Sequence, residues 1–329
     1  MFTHSGATPI RLFAIAMLAA VGCDCGTEHK STASTPPPQP TQDAADLPKS
    51  SLIAVWGSSS KDVWAVGDAG TILHFDGKAW TQVESGTTES LLGVVGHGPD
   101  DVWAVGEKAT MLHFDGKTWT ADTSKESVEN MSLLGVWTGA KSDVWVSGVD
   151  GSIGLLRHYT GDHWEDSAIS AASSLWEAWG VGGNDVWMVG SDRMGSGKQG
   201  FVLRGDGKRF DRMPFEGGSL RAIAGTSSDD VWIGAYTGEL YHWDGKAWTQ
   251  AQALEGEPRV LSMWAAAPND VWAVGFDGMV LHYDGAKWTR AKTNTNAILW
   301  SVWGSAANDV WAVGNDGARL HWDGHDWKG

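Results

Sequence analysis

LLGVVGHGPDDVWAVGEKATMLHFDGKTWTADT, residues 91–123, is one of seven versions of the same passage in this chain. Its tripeptide Asp-Val-Trp recurs at Asp62, Asp101, Asp143, Asp185, Asp230, Asp270 and Asp309, at steps of 39, 42, 42, 45, 40 and 39 residues. A period of that length marks supersecondary units that bury their apolar faces only against one another. Within the quoted stretch, four runs rich in β-branched or aromatic residues (91–95, 102–105, 110–114 and 118–121) are separated by Gly, Asp and Pro. These are strand signals. No helical period is sustained. The pair Asp115-Gly116 lies between the third and fourth runs, and Asp-Gly is a strong hairpin signal because Gly tolerates the positive φ of a tight turn. Each repeat therefore reads as a four-stranded antiparallel meander.

The spacing from the Trp of Asp-Val-Trp to the next marked aromatic is 16 residues in five copies, as from Trp64 to Trp80. It grows to 19 from Trp145 to Trp164 and to 23 from Trp187 to Phe210. The steps His158 to Trp164 and Arg204 to Phe210 both stay at 6, so the extra residues fall between strands two and three. Four-stranded units of about 40 residues repeated radially are β-propeller blades. The expected fold is all-β, a seven-bladed β-propeller with four-stranded antiparallel blades over 52–329. The 22 Trp, all between Trp56 and Trp327, suit a core of large rings wedged between blades. Because the first copy opens on strand one and the last closes on strand four, each blade is expected from a single repeat. The ring then closes by side-chain packing rather than by a shared strand, and the propeller is expected to be monomeric.

The pattern DVWAVG-x-x-G-x-x-x-H-x-DG-x-x-W resembles the surface β-propeller lipoproteins of myxobacteria and their relatives. It is also similar to tectonin repeats and, more distantly, to the Asp-box (BNR) hairpins of sialidase-type propellers. It departs from the Asp-box in its Asp-to-Trp step and in having His74 and its equivalents where a Ser or Thr precedes the Asp. The tectonin resemblance implies binding of glycans or surfaces.

Ahead of the repeats, Arg11 precedes an apolar run, 12–21, ending in Ala20-Val21-Gly22-Cys23. That reads as a signal peptide over 1–22, too short to span a bilayer. The small residues before Cys23 resemble a bacterial lipobox, which implies Cys23 as the lipidated residue and an anchor in the cell envelope. The periplasm, outer membrane and cell surface all remain open. Residues 23–51 read as a Pro/Ser/Thr-rich tether with Pro36, Pro37, Pro38 and Pro40. At about 3.1 Å per residue, its Pro/Ser/Thr-rich part, 26–51, reaches roughly 80 Å. Cys25 is the only other cysteine, so the propeller holds no disulfide.

Forty acids against 24 bases give a net charge of −16, which argues against nucleic acid and against anionic lipid bound through a basic face. The lipid at Cys23 is thus the expected membrane contact. His74, His113, His158, His242, His282 and His321 recur at one blade position, with Arg204 in the remaining copy. Equivalent positions on a ring do not converge on a metal, so these are read as hydrogen-bonding residues with no metal and no cofactor. The Asp of Asp-Val-Trp is expected to cap the preceding loop through backbone N–H groups. Arginines are scattered and no pair of acids stands out as catalytic. The chain is therefore read as a non-enzyme that binds a surface glycan or an envelope protein. The alternatives are a structural subunit of an envelope complex and a polysaccharide-acting hydrolase or lyase. In a meander, the two-to-three and four-to-one connections share a face, and the insertions collect there. Variable loops on a rigid scaffold carry binding, which nominates Arg193, Lys198, Tyr236, Glu126, Glu129, Asn294 and Asn296.

Overall fold

In a computed structural model, residues 47–122, 131–141, 143–150, 153–166, 174–192, 199–207, 209–251 and 259–329 are described. They form a seven-bladed β-propeller. Blade one consists of β1 (Leu52–Ser59), β2 (Asp62–Gly67), β3 (Ile72–Phe75) and β4 (Trp80–Val83). Blade two repeats it with β5 (Leu91–Gly98), β6 (Asp101–Gly106), β7 (Met111–Phe114) and β8 (Trp119–Ala121). All seven sheets have four antiparallel strands in chain order, and each comes from one repeat. The first strand is longer than the sequence pattern indicates, β5 running on from Val95 to Gly98. First strands line the centre, and β1 packs against the first strands of both blade two and blade seven.

The hairpin between β3 and β4 shows why Asp-Gly recurs. Asp76 Oδ1 accepts hydrogen bonds from the N–H groups of Lys78 and Ala79, both at 2.9 Å, while Gly77 takes φ 89°. These backbone donors hold the Asp76 carboxyl below the usual range. The turn thus fixes its own length, which is why insertions accumulate elsewhere.

Two packing layers join the blades. In the outer layer, the Asp-Val-Trp ring of one blade contacts two aromatics of the next at six seams, while Trp145 meets Phe210 alone. Trp64 meets Phe114 at 4.8 Å and Trp119 at 5.4 Å, the latter edge-on. The same pattern closes the ring, where Trp311 of blade seven meets Phe75 at 4.9 Å and Trp80 at 5.2 Å. In the inner layer, a Trp late in one first strand lies against a Gly of the next: Trp56 on Gly96, Trp137 on Gly180, Trp179 on Gly225, Trp264 on Gly304, and Trp303 on Gly57 across the closing seam. Ser301 Oγ also accepts the Val55 N–H across that seam at 3.2 Å. Closure therefore rests on side-chain contacts. Leu47, ahead of β1, is buried in the same cluster as Leu52 and Trp311.

The Asp of Asp-Val-Trp has different partners from those its loop position suggests. Asp62 Oδ1 accepts from His74 Nε2 at 2.7 Å, and its other oxygen accepts from Ser58. The imidazole in turn stacks on Trp64 at 4.1 Å. Burial pushes the Asp62 carboxyl up, but the bonds from His74 and Ser58 outweigh it and hold the pKa below the usual value. Where Arg204 replaces His, its Nε and Nη2 reach the two oxygens of Asp185 at 2.7 and 3.1 Å, and the guanidinium lies over Trp187 at 4.5 Å. The Asp is thus a side-chain acceptor linking strands two and three, because the register that pairs Trp64 with His74 brings the imidazole within hydrogen-bond reach of it.

Candidate functional site: the channel mouth

The central channel encloses a cavity of about 350 Å³ walled by the first strands of all seven blades. Each of these strands carries a register shift near both ends, as between Leu52 and Ala54 and between Gly57 and Ser59 in β1. The extra residue at the first bulge is unpaired in the ladder and so is free for another use. Four blades place an aliphatic there: Ile53, Leu92, Leu134 and Leu261. The other three place Trp176, Arg221 and Trp300. The mouth is therefore asymmetric: blades one to three are aliphatic there, while blades four to seven carry two Trp and one Arg beside Leu261.

On that second side the bulge residues meet the two-to-three connections. Arg221 lies flat over Trp176, with its guanidinium carbon 3.4 Å from the ring centroid, and is 5.2 Å from the ring of Tyr236. Arg259, just before the first strand of blade six, is 5.6 Å from Tyr236 and 5.2 Å from Phe276. Tyr236 meets Phe276 edge-on at 5.9 Å, and Phe276 meets Trp300 at 6.5 Å. An arc of four aromatics and two arginines thus spans blades four to seven. Two of its rings are held by side-chain bonds, Trp176 Nε1 donating to Ser191 Oγ at 3.1 Å and Trp300 Nε1 to Asn315 Oδ1 at 2.6 Å, and the backbone at Tyr236 is held by its N–H donating to Ser219 O at 2.7 Å. Arg221 Nε is buried and has no hydrogen-bond partner. Burial pulls its pKa down, though an arginine stays charged.

The residue after the bulge is small in six blades (Ala54, Gly93, Gly135, Ala222, Ser262 and Ser301) and is Glu177 in blade four. Ser262, Ser301 and Glu177 each accept a backbone N–H from the following blade, Glu177 Oε2 taking that of Ile223 at 2.9 Å. Glu177 keeps some surface open to the channel. That surface faces a narrow space between protein walls, so the carboxyl is desolvated all the same. Burial pushes its pKa up to about 8, against a smaller opposing effect of the Ile223 N–H. At neutral pH it is an uncharged acid, able to donate a hydrogen bond as well as accept one.

The two-to-three and four-to-one connections do share a face, since the Asp68 N–H donates to Ser51 O at 3.0 Å and the Gly278 N–H to Ala297 O at 2.8 Å. Of the residues the sequence nominates there, Tyr236 lies in the arc. Asn294 instead lines a depression beside Trp80, Trp311 and Arg319, and Asn296 is exposed on the same connection. Glu126, Glu129, Arg193 and Lys198 lie outside the described residues, as do the signal segment and Cys23. Trp176, Glu177, Arg221, Arg259, Phe276 and Trp300 were not nominated. Their signal is columnar: each departs from the type its repeat position otherwise holds. Arg259, for example, stands where five other copies have Ser51, Ser90, Ser132, Ser174 and Ser219.

No family profile and no curated protein matches the sequence. Solved structures do match in fold. YCF48 bound to a D1 peptide aligns at 17% identity over 84% of this chain and 94% of its own, with a TM-score of 0.65. A streptogramin B lyase aligns at 12% identity over 83% of this chain and 93% of its own, with a TM-score of 0.71. The WD40 propeller domain of Doa1 aligns at 12% identity over the same shares, with a TM-score of 0.67. At these identities the likeness is one of fold: this chain is a β-propeller of the general architecture that YCF48, the Doa1 domain and the lyase share.

Proposed function

We propose that this protein is a non-enzymatic binding propeller, tethered to the cell envelope through a lipid on Cys23, whose ligand seats on the channel mouth. The arc of Trp176, Arg221, Tyr236, Arg259, Phe276 and Trp300 carries the reading. It concentrates amphipathic and cationic side chains, the types that dominate binding energy, on one side of one face, and side-chain hydrogen bonds fix Trp176 and Trp300 in place. A ligand there orders little on binding, which favours affinity. Glu177 is a lone acid: burial and one backbone N–H account for its shift, with no titratable neighbour contributing. A site without a paired base suits recognition better than hydrolysis. The ligand is a surface glycan or an envelope protein; a D1 peptide is what YCF48, of like fold, is bound to.

The test is a pull-down from detergent-solubilised envelopes with the full chain, with and without added cell-wall polysaccharide. Tyr236→Ala is expected to weaken capture by about tenfold, the loss of roughly 1.4 kcal/mol. Capture unchanged by Tyr236→Ala and by Phe276→Ala would place the ligand elsewhere. Cys23→Ala is expected to move the protein from the membrane to the soluble fraction, and retention in the membrane would overturn the anchor.

A further inference from the structure

We propose that the channel mouth binds a carboxylate-bearing sugar unit of an acidic glycan, its carboxylate paired with Arg221 and its C–H face laid on the neighbouring aromatics. This rests on the binding role proposed above and names its ligand class.

Arg221 is the starting point. A buried charge is costly unless paired and hydrogen-bonded, yet burial is the leading influence on this guanidinium and no carboxylate figures among the causes of its shift. Its Nε has no acceptor. The rings of Trp176 and Tyr236 compensate part of the charge through their π faces, but they offer no lone pairs to the N–H groups. The terminal Nη groups of Arg221 have no hydrogen-bond partner among the described residues either and, unlike Nε, are not enclosed, so a planar pair of donors stays open to the channel and suits a carboxylate. Diffuse attraction does not explain anion binding here, because the chain as a whole carries −16 and repels a polyanion at long range. Affinity for an acid must then come from the local contact, which makes the effect of one residue decisive.

The remaining chemistry favours a sugar over a peptide. An extended peptide gains affinity by adding a strand to an open sheet edge. The first strands facing the channel are bulged near both ends, which breaks such a ladder. What the mouth offers instead is a set of fixed ring faces and edges around an opening of a few hundred Å³, and polar groups on the channel wall. Glu177 as an uncharged acid, with Ser262 and Ser301, can serve hydroxyls as donor and acceptor. Apolar faces, hydroxyl partners and, at the channel wall, the Arg221 guanidinium together describe a uronate ring.

The experiment is titration of the purified full chain, followed by intrinsic Trp fluorescence and calorimetry, with a short oligogalacturonate, an oligoguluronate, the methyl ester of the former, a neutral maltooligosaccharide and a polyglutamate peptide. The expected result is binding of at least one oligouronate, weakened tenfold or more by esterification. In Arg221→Gln the acid and the ester should bind equally weakly, with Arg221→Lys intermediate. The acid-versus-ester comparison on the unaltered protein holds even if a variant folds poorly. Equal binding of acid and ester, or binding of the neutral sugar or the peptide in preference to both oligouronates, overturns the acidic-glycan assignment and leaves the binding role standing. If neither oligouronate binds, the assignment also falls. The binding role falls with it only if no other probe binds and the envelope pull-down is empty.

Discussion

At the scale of single residues, the repeats act as internal controls for each other. Glu177 stands in a column otherwise filled by Ala, Gly and Ser, and its burial has a cost that depends on pH. Its folded pKa lies near 8, above an unfolded value of about 4.5. Below the lower value both states hold the proton and the cost vanishes. As pH rises between the two, the unfolded chain releases the proton while the folded chain keeps it, so stability falls, levelling off above about 8. Glu177→Gln removes the titration and keeps an acceptor for the Ile223 N–H. It is expected to raise stability by roughly 2 to 4 kcal/mol at pH 8 and by little at pH 4. Denaturant titrations of both proteins across that range check it, and a gain of equal size at every pH would show that packing, not ionisation, is responsible. A stabilised Gln variant would also mark Glu177 as kept for a purpose other than stability, as expected of a residue facing a ligand.

At the scale of elements, the first strands show how one seam is built seven times from two kinds of pair. Five seams place an indole on a glycine. At the other two the late position holds Val95 or Ala224, and the residue facing it in the next blade is Thr138 or Ala265 instead of Gly. Large meets absent and small meets small, as close packing requires. A Cβ added at Gly96 would overlap both the Trp56 ring and the Asp101 carbonyl. Thr138 and Ala265 carry a Cβ at the corresponding position, so the backbone accommodates one and the indole is the real obstacle. Gly96→Ala is therefore expected to cost about 1–3 kcal/mol. The pair Trp56→Val with Gly96→Thr, copying the seam between blades two and three, is expected to cost less than the sum of Trp56→Val and Gly96→Thr made singly. Additivity of the two changes in a double-mutant cycle would refute the coupling. This layer was only half legible beforehand. Periodicity identifies the strands and the aromatic content points to rings between blades, but which Trp meets which Gly depends on neighbours about 40 residues apart. The binding arc was hidden for a related reason. Trp176 and Trp300 read as core residues of an apolar strand, and nothing local reveals that a bulge frees them for the channel wall, as at Trp176, or for the connections around its mouth, as at Trp300. Tyr236 was visible because it sits in a connection, where a departure from the repeat stands out.

At the scale of the whole molecule, the question is whether seven like blades behave as a stack or as a ring. In an open stack of repeats the two end units each lack a neighbour, and damage at an end spreads poorly. Here blade seven meets blade one through the kinds of contact that recur at interior seams: Trp311 on Phe75 and Trp80, Trp303 on Gly57, and Ser301 on Val55. No strand is exchanged, so the seam has no special reinforcement, and it has no evident deficit either. Trp272, at the interior seam between blades six and seven, has the corresponding partners Trp322 at 5.3 Å and Trp327 at 5.4 Å. Trp311→Ala and Trp272→Ala are accordingly expected to cost similar amounts, about 3–5 kcal/mol each. Both variants should unfold in a single transition, as a closed ring without ends requires. If Trp311→Ala alone produced an early partial transition while most Trp fluorescence stayed native, the first and last blades would be acting as ends. Closure would then be a late and weak event rather than one equal contact among seven. A channel mouth built from blades four to seven lies partly on the blade next to that seam, so the same experiment shows whether the binding arc is held by the whole ring or only by its own neighbours.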